Sequence, residues 1–163
     1  MELKKVSGKK LLFELAHTRV KSQKDRMEKC IKLGICPFCW KNLSEWHDAP
    51  VIKKGKFWVI TANDHPYIGS KYHYLAIYKD HISLISELAL GAGDELLLLF
   101  SKFCKEKKIK GATIVMRFGD MTYTGATIFH LHAQIISGIS RKNIKNPKYP
   151  DSFITTAIGY KTK

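Results

Sequence analysis

Two histidines and a glutamine stand at alternate positions in the stretch FHLHAQII, near the C-terminal end of the sequence. Successive side chains of a β-strand point to opposite faces, so His130, His132 and Gln134 are expected to share one face. Leu131 and Ala133 would then turn towards the core. A plain strand with one polar face would also alternate, but a neutral imidazole can in addition act as a nucleophile or a metal ligand. The stretch therefore predicts a reaction centre on the last strand.

A second group of ligand-type residues is the Cys-Pro-Phe-Cys sequence, Cys36 to Cys39. A Cys-x-x-Cys turn can supply half of a tetrahedral zinc site, but it also occurs as a redox pair. It could equally be a buried turn, or belong to a site completed by His47. The residues alone leave these interpretations open.

Apolar periodicity and turn residues predict the elements that must position these groups. A helix is expected from Lys9 to Lys32, and a second helical region, interrupted at its glycines, from Ser83 to Lys107. The predicted strands are Pro50–Ile52, Phe57–Thr61, Tyr72–Tyr78, 112–119 and 126–137. This order predicts an α+β fold in which an antiparallel sheet has helices packed on one face.

The composition indicates a single cytoplasmic domain. The chain has 163 residues, 45% of them apolar, and its apolar run LLLLF is far too short to span a bilayer. The N-terminus is charged and lacks a signal-peptide core. The 28 Lys and Arg residues outnumber the 14 Asp and Glu residues, giving a net charge of +14. Such a charge favours polyanionic partners, although an ordinary basic surface explains it equally well.

The segment GATIFHLHAQII resembles the histidine triad (HIT) superfamily, whose signature is His-x-His-x-His followed by apolar residues. Gln134 stands in place of the third histidine, as in the branch that includes diadenosine tetraphosphate phosphorylase and galactose-1-phosphate uridylyltransferase. The segments ITANDHPYIGSKYHYLAIYKDHI and RFGDMTYTG resemble the family's upstream parts. The resemblance covers about residues 36–138 of a single HIT-like domain, 1–163. It places the cysteine knuckle near the N-terminal side and leaves out the N-terminal helix and the basic C-terminal tail, which we expect to be peripheral.

The resemblance implies that His132 is the nucleophile and forms a nucleotidyl-histidine intermediate. Gln134 cannot carry a proton, so it would bind a phosphate oxygen and favour leaving groups that are stable as anions. Nucleotidyl transfer, phosphorolysis or hydrolysis at a nucleotide α-phosphate is therefore expected. The branch that repairs adenylylated DNA ends keeps the third histidine, and Gln134 counts against it.

The same resemblance implies a metal site and a set of residues that contact the substrate. A structural zinc ion would be bound by the two cysteines, the histidine after the central strand and the first histidine of the motif: Cys36, Cys39, His81 and His130. The residues expected to contact the substrate are Asn63, Asp120, Thr124, Gly125 and Thr127. Asn63 could also simply belong to a turn.

The expected partners are a nucleotide or dinucleoside polyphosphate substrate, a phosphate or sugar-phosphate acceptor, and a second copy of the chain in a homodimer. The alternative is a catalytically weak nucleotide-binding or nucleic-acid-binding module of the same fold, for which the charge of +14 is the main support. Nucleic acid is not favoured, because no RNP-like motif or recognition helix is present.

Overall fold

The computed structural model describes residues 12–161 and shows an α+β fold built on one antiparallel sheet. The five strands are β1 Val51–Lys54, β2 Trp58–Ala62, β3 Tyr72–Tyr78, β4 Thr113–Arg117 and β5 His132–Ser137. They lie in the order β1-β2-β3-β5-β4. The helices are α1 Lys21–Leu33, α2 Trp40–Trp46, α3 Ala92–Glu106 and α4 Met121–Thr124. The predicted fold class is confirmed.

The long helix α3 covers one face of the sheet. Its apolar side chains recur at helical spacing, while those of the strands recur at every second position, so that the two sets meet. The buried contacts are made by Leu96, Phe100 and Phe103 of α3 with Trp58, Ile60, Ala76, Ala133 and Ile135 of the strands. This cluster fixes which residues of β5 point away from the helix: His132 and Gln134 alternate with Ala133 and Ile135 and must therefore point to the opposite face.

The opposite face is only partly covered. Phe38 and Leu43, from the cysteine turn and α2, pack on the strand residues Val59, Leu75 and Ile77. The helix α1 lies on the same side, where its buried residues form a separate cluster with Phe13 and adjoin Ile128. The part of this face that β4 and β5 form is left as the floor of a cavity.

The first helix begins later than predicted. Of the predicted range, residues 9–11 lie outside the described part of the chain, and 12–20 hold only the short 3₁₀ turn Leu15–His17. The reason is that this backbone pairs with a distant segment: Phe13 forms a bridge with Ile128, and the N–H of Glu14 donates to the carbonyl of Thr127 at 3.1 Å. A pairing of this kind cannot be read from local periodicity.

The last strand is also shorter than predicted, because it begins at His132 and not at residue 126. The preceding residues use their N–H groups elsewhere: Phe129 donates to Leu12 at 2.9 Å and Leu131 to Ile82 at 2.7 Å. His130 is therefore not on the strand, and the expected alternation holds only for His132 and Gln134.

Two further segments differ from the prediction. The region from Ser83 contains a 3₁₀ turn, Ile85–Glu87, and becomes α-helical only after Gly91, whose φ of 82° is left-handed. The loop DMTYTG contains the short helix α4. No helix within residues 12–161 is long and apolar enough to cross a membrane.

Candidate active site and metal centre

The four predicted metal ligands come together in the structure. The Nδ1 atom of His130 lies 3.5 Å from the Sγ of Cys36 and 3.4 Å from the Nδ1 of His81. The Sγ of Cys39 lies 3.4 Å from the Nδ1 of His81. All four ligand atoms fall within 4.8 Å of one another. Segments that are about 90 residues apart in sequence thus place two thiols and two imidazole nitrogens around one point.

These separations fit a tetrahedral site. With zinc bonds of about 2.3 Å to sulfur and 2.0 Å to nitrogen, neighbouring ligand atoms of a tetrahedron lie roughly 3.3–3.8 Å apart. The hydrogen bond from Cys36 lowers the pKa of Cys39, and the two histidines add to this effect. The thiolate form that a metal requires is therefore favoured at Cys39, whereas the hydrogen bond with Cys39 and burial raise the pKa of Cys36, which would lose its proton on binding a metal.

The orientation of His130 is set by the sheet. Its Nε2–H donates to the carbonyl of Tyr78 at 2.6 Å, which leaves Nδ1 free to face the thiols. His47, which the sequence left as an alternative ligand, is outside the cluster. Its ring instead contacts the carboxylate of Asp64 at 3.1 Å and the hydroxyl of Thr61 at 3.0 Å.

The backbone of His130, whose side chain belongs to the cysteine cluster, holds His132 in one tautomer. Its Nδ1–H donates to the backbone carbonyl of His130 at 2.8 Å, so Nε2 is left without a proton. Burial lowers the pKa of His132 to about 4, which keeps the ring neutral at pH 7. Phe38 packs edge-on against the ring at a centroid distance of 5.2 Å. The result is a neutral imidazole with a free lone pair in a fixed orientation.

Gln134 is oriented by a histidine on the neighbouring strand. His73 accepts the N–H of Tyr67 at Nδ1, so its proton is on Nε2 and donates to Oε1 of Gln134 at 2.8 Å. The amide NH₂ of Gln134 is then left as the donor towards the cavity. The Nδ2 of Asn63 lies 3.0 Å from the same His73 nitrogen. The role of His73 was not predicted, because it depends on the register that pairs His73 with Ile136 and thereby makes it a diagonal neighbour of Gln134 on β5.

His132 and Gln134 form part of the floor of a cavity of about 1500 Å³. Of the residues predicted to contact a substrate, three line it: Asn63, Gly125 and Thr127. Gly125 has a left-handed φ of 64° and ends α4. Apolar side chains line the same space, namely Phe38, Leu75, Val115, Ile128 and Ile136. The cavity thus combines an apolar wall with polar groups that converge on one strand, the usual character of a small-molecule site.

Asp120 and Thr124 do not line the cavity. The carboxylate of Asp120 is exposed and caps α4, where it accepts from the N–H and hydroxyl of Thr122 at 2.9 and 2.7 Å. The hydroxyl of Thr124 accepts from the N–H of Ala126 at 3.3 Å. Both side chains thus shape the loop, and their contact with a substrate stays a prediction.

Two parts of the cavity were missed from the sequence. Arg117 on β4 is paired with His132 across the sheet, so its side chain is on the cavity face. The C-terminal segment, residues 151–160, also lines the cavity, which was not predicted, although most of its residues are exposed. The polar composition of this segment did not predict its docking, because the segment is held by hydrogen bonds to residues on distant elements, such as Arg117 and His17.

Comparison with known proteins identifies the fold. No family model and no curated protein matches the chain. A histidine triad protein from Clostridium difficile superposes with a TM-score of 0.53 at 21% identity, over 70% of this chain and 95% of the other. A zinc-bound histidine triad family protein from Mycobacterium smegmatis gives 0.51 at 18% identity, over 72% and 84%. A HIT family hydrolase from Clostridium thermocellum gives 0.50 at 23% identity, over 70% and 96%.

The protein therefore has the fold of the histidine triad proteins. At sequence identities below 25%, these superpositions establish only the shared architecture. The activity must be argued from the residues of this chain.

Proposed function

We propose that this protein is an enzyme that acts at a nucleotide α-phosphate, as a nucleotidyl transferase, phosphorylase or hydrolase, with His132 as its nucleophile. The observation that carries the proposal is the hydrogen bond from Nδ1 of His132 to the carbonyl of His130, at 2.8 Å. It leaves Nε2 as an unprotonated nucleophile on the floor of a cavity large enough for a nucleotide.

The reaction would proceed in two displacements. The Nε2 lone pair forms a bond to the α-phosphorus while the phosphorus–oxygen bond to the leaving phosphate breaks, and the leaving group takes the electron pair. An acceptor, which is water, phosphate or a sugar phosphate, then attacks the same phosphorus while the bond from phosphorus to Nε2 breaks. Nε2 takes back its electron pair, and a proton of the acceptor passes to the solvent. The Nδ1–H bond to the His130 carbonyl stabilises the positive charge on the ring during the intermediate.

Gln134 supports a leaving group that needs no proton. Its oxygen is used by His73, so its NH₂ can donate to a non-bridging oxygen of the attacked phosphate. An amide does not titrate and cannot protonate an amine leaving group. A phosphate leaving group, whose second pKa is near 6, fits this arrangement.

A labelled dinucleoside polyphosphate tests the proposal. Wild-type protein incubated with it should give a covalent nucleotidyl adduct or product, and His132→Ala should give neither. His65→Ala is a matched control, because His65 hydrogen-bonds to Arg19 and Asn63 through its backbone, which the substitution keeps. Binding without adduct or product in the wild type would instead support the alternative, a nucleotide-binding module. Product formation that rises with added inorganic phosphate would indicate a phosphorylase.

We also propose that Cys36, Cys39, His81 and His130 bind a structural zinc ion. When bound, the metal would join the cysteine turn to the sheet and hold the backbone of His130, whose carbonyl orients the nucleophile.

Metal analysis of purified protein should give about one zinc per chain. Cys36→Ser should lose the metal and lower the melting temperature. Cys104→Ser, which changes a cysteine of α3 outside the cluster, should keep the metal. Zinc fully retained in Cys36→Ser would contradict the assignment.

A further inference from the structure

Arg117 stands beside the proposed nucleophile. Arg117 and His132 are directly paired on the antiparallel strands β4 and β5, so their side chains leave the same face of the sheet as neighbours. Both line the cavity. A guanidinium at this position can reach phosphate groups next to the one that His132 would attack, since its planar fork matches phosphate oxygens.

The donors of Arg117 are occupied by neutral acceptors. Its Nη2 donates to the carbonyl of Ala157 at 2.6 Å and to the hydroxyl of Thr156 at 3.1 Å, both in the C-terminal segment. Its Nη1 donates to the hydroxyl of Tyr67 at 3.2 Å, and its Nε to the carbonyl of Thr124 at 3.0 Å. A phosphate is a stronger acceptor for a guanidinium than any of these groups.

A second guanidinium lies close by. Arg19 stacks over the ring of Tyr67 at 4.4 Å, and burial together with the charge of Arg117 lowers the pKa of Arg19. Among residues 12–161, no carboxylate lies within ion-pair distance of either arginine. Of the described residues that line the cavity, Asp151 is the one with a carboxylate, and it belongs to the C-terminal segment itself. Two cations that repel each other and share a cavity form a site for a multiply charged anion.

The C-terminal segment is weakly held where it meets Arg117. Residues 155–160 are exposed and, within the described chain, take part in no backbone–backbone hydrogen bond. Apart from Arg117, the segment contacts Tyr67 through the hydroxyl of Thr156, and it contacts His17 through Tyr160, whose hydroxyl lies 2.5 Å from Nε2 and whose ring packs at a centroid distance of 5.8 Å. Such a segment can be exchanged for a better acceptor at low cost.

We propose that Arg117 and Arg19 bind the phosphates that follow the α-phosphate, and that the carbonyl of Ala157 and the hydroxyl of Thr156 occupy Arg117 until a polyphosphate displaces them. This rests on the proposed function and narrows its substrate class to nucleotides with a chain of at least two phosphates. Residues 155–160 are then an internal competitor for the phosphate site.

Binding of inorganic tripolyphosphate to the full chain, measured by titration calorimetry, tests the arginines. Arg117→Gln should weaken binding about tenfold or more, as expected for the loss of charged hydrogen bonds. Arg19→Gln, which leaves the contacts of the segment intact, should weaken it several-fold. Lys102→Gln removes the same charge from an exposed position on α3 and should have little effect. Equal losses in Arg117→Gln and Lys102→Gln would overturn the site.

The competing role of the segment has its own variant. A Cβ at Gly159 would lie 2.5 Å from the carbonyl oxygen of Tyr123, so Gly159→Ala should push the segment away and strengthen tripolyphosphate binding. Gly111→Ala is the matched control, since a Cβ there meets nothing within 4 Å. Unchanged or weaker binding in Gly159→Ala would show that the segment does not compete.

These titrations need no turnover, so the two proposals can fail separately. If the protein binds tripolyphosphate through Arg117 but forms no adduct on His132, the proposed function alone is contradicted. An adduct on His132 with a KM for dinucleoside polyphosphate that Arg117→Gln leaves unchanged would contradict the phosphate site alone.

Discussion

The protonation of His73 decides which end of the Gln134 amide faces the cavity. The ring is buried, accepts from the backbone of Tyr67 and donates to Gln134, an arrangement that only the neutral imidazole can make. Burial, together with the charges of Arg19 and Arg117, lowers the pKa of His73 to about 4. Since these cations face the ring, a proton on Nδ1 would be repelled and would also break the bond from Tyr67.

The pH dependence of the free energy of unfolding should show that His73 is neutral in the folded protein. Because the folded pKa of about 4 is below the ordinary value of 6.5, the unfolded chain binds more protons between these values. The contribution of His73 is thus complete above pH 6.5 and is lost as the pH falls towards 4, by up to about 3 kcal/mol. Urea unfolding at several pH values should show a steeper loss in the wild type than in His73→Gln. Equal slopes would contradict the assignment.

At the scale of elements, the contact between α3 and the β1–β2 turn depends on one carboxylate. Glu95 of α3 accepts from the N–H groups of Lys56, Phe57 and Trp58 at 3.0, 2.8 and 3.0 Å. Gly55 is required beside it, because a Cβ there would lie 2.2 Å from the carboxylate. The carboxylate thus satisfies three donors that the hairpin leaves unpaired.

Removing this carboxylate should weaken the whole fold. Glu95→Ala is expected to lower the free energy of unfolding by about 2 kcal/mol, the typical loss for hydrogen bonds to a charged group. Asp94→Ala removes the same charge from the same helical turn at an exposed position, and should change stability by less than about 0.5 kcal/mol. Chemical denaturation of both variants measures the difference, and similar losses would contradict the role of Glu95.

At the scale of the molecule, α1 is joined to the sheet through a buried acid. Arg26 of α1 contacts Asp64 at 2.5 Å, and Asp64 also accepts from His47 and from the backbone of Asp48 and Ala49. Burial would raise the pKa of Asp64, but the hydrogen bonds from His47 and these N–H groups lower it below its usual range. The carboxylate therefore stays charged at neutral pH and holds three parts of the chain together.

Asp64→Asn should cost about 3 kcal/mol of unfolding free energy, because it leaves the half-buried Arg26 without its buried partner. Asp48→Asn changes the other carboxylate that contacts Arg26, whose side chain is 76% exposed against 6% for Asp64. That variant should lose less than about 1 kcal/mol. Thermal unfolding of the two variants measures the contrast, and equal losses would show that burial of Asp64 does not matter.

The homodimer and the cytoplasmic location stay predictions.

The sequence by itself determined the fold class and the candidate ligands. The aromatic and branched residues of Tyr72–Tyr78 predicted β3 with its observed bounds, because the preference of these residue types for strands is visible locally. The residues alone left the role of the Cys36–Cys39 turn open, and the resemblance to the histidine triad superfamily implied the cluster with His81 and His130 that the structure brings together.

Only the tertiary structure decided how these residues cooperate. The residues before His132 pair with distant segments, as in the bridge between Phe13 and Ile128, so β5 begins only at His132 and His130 lies outside it. The register of β5 placed Arg117 beside His132, and docking of the C-terminal segment put Ala157 on that guanidinium. Such contacts join residues that are far apart along the chain, and no local period or propensity records them.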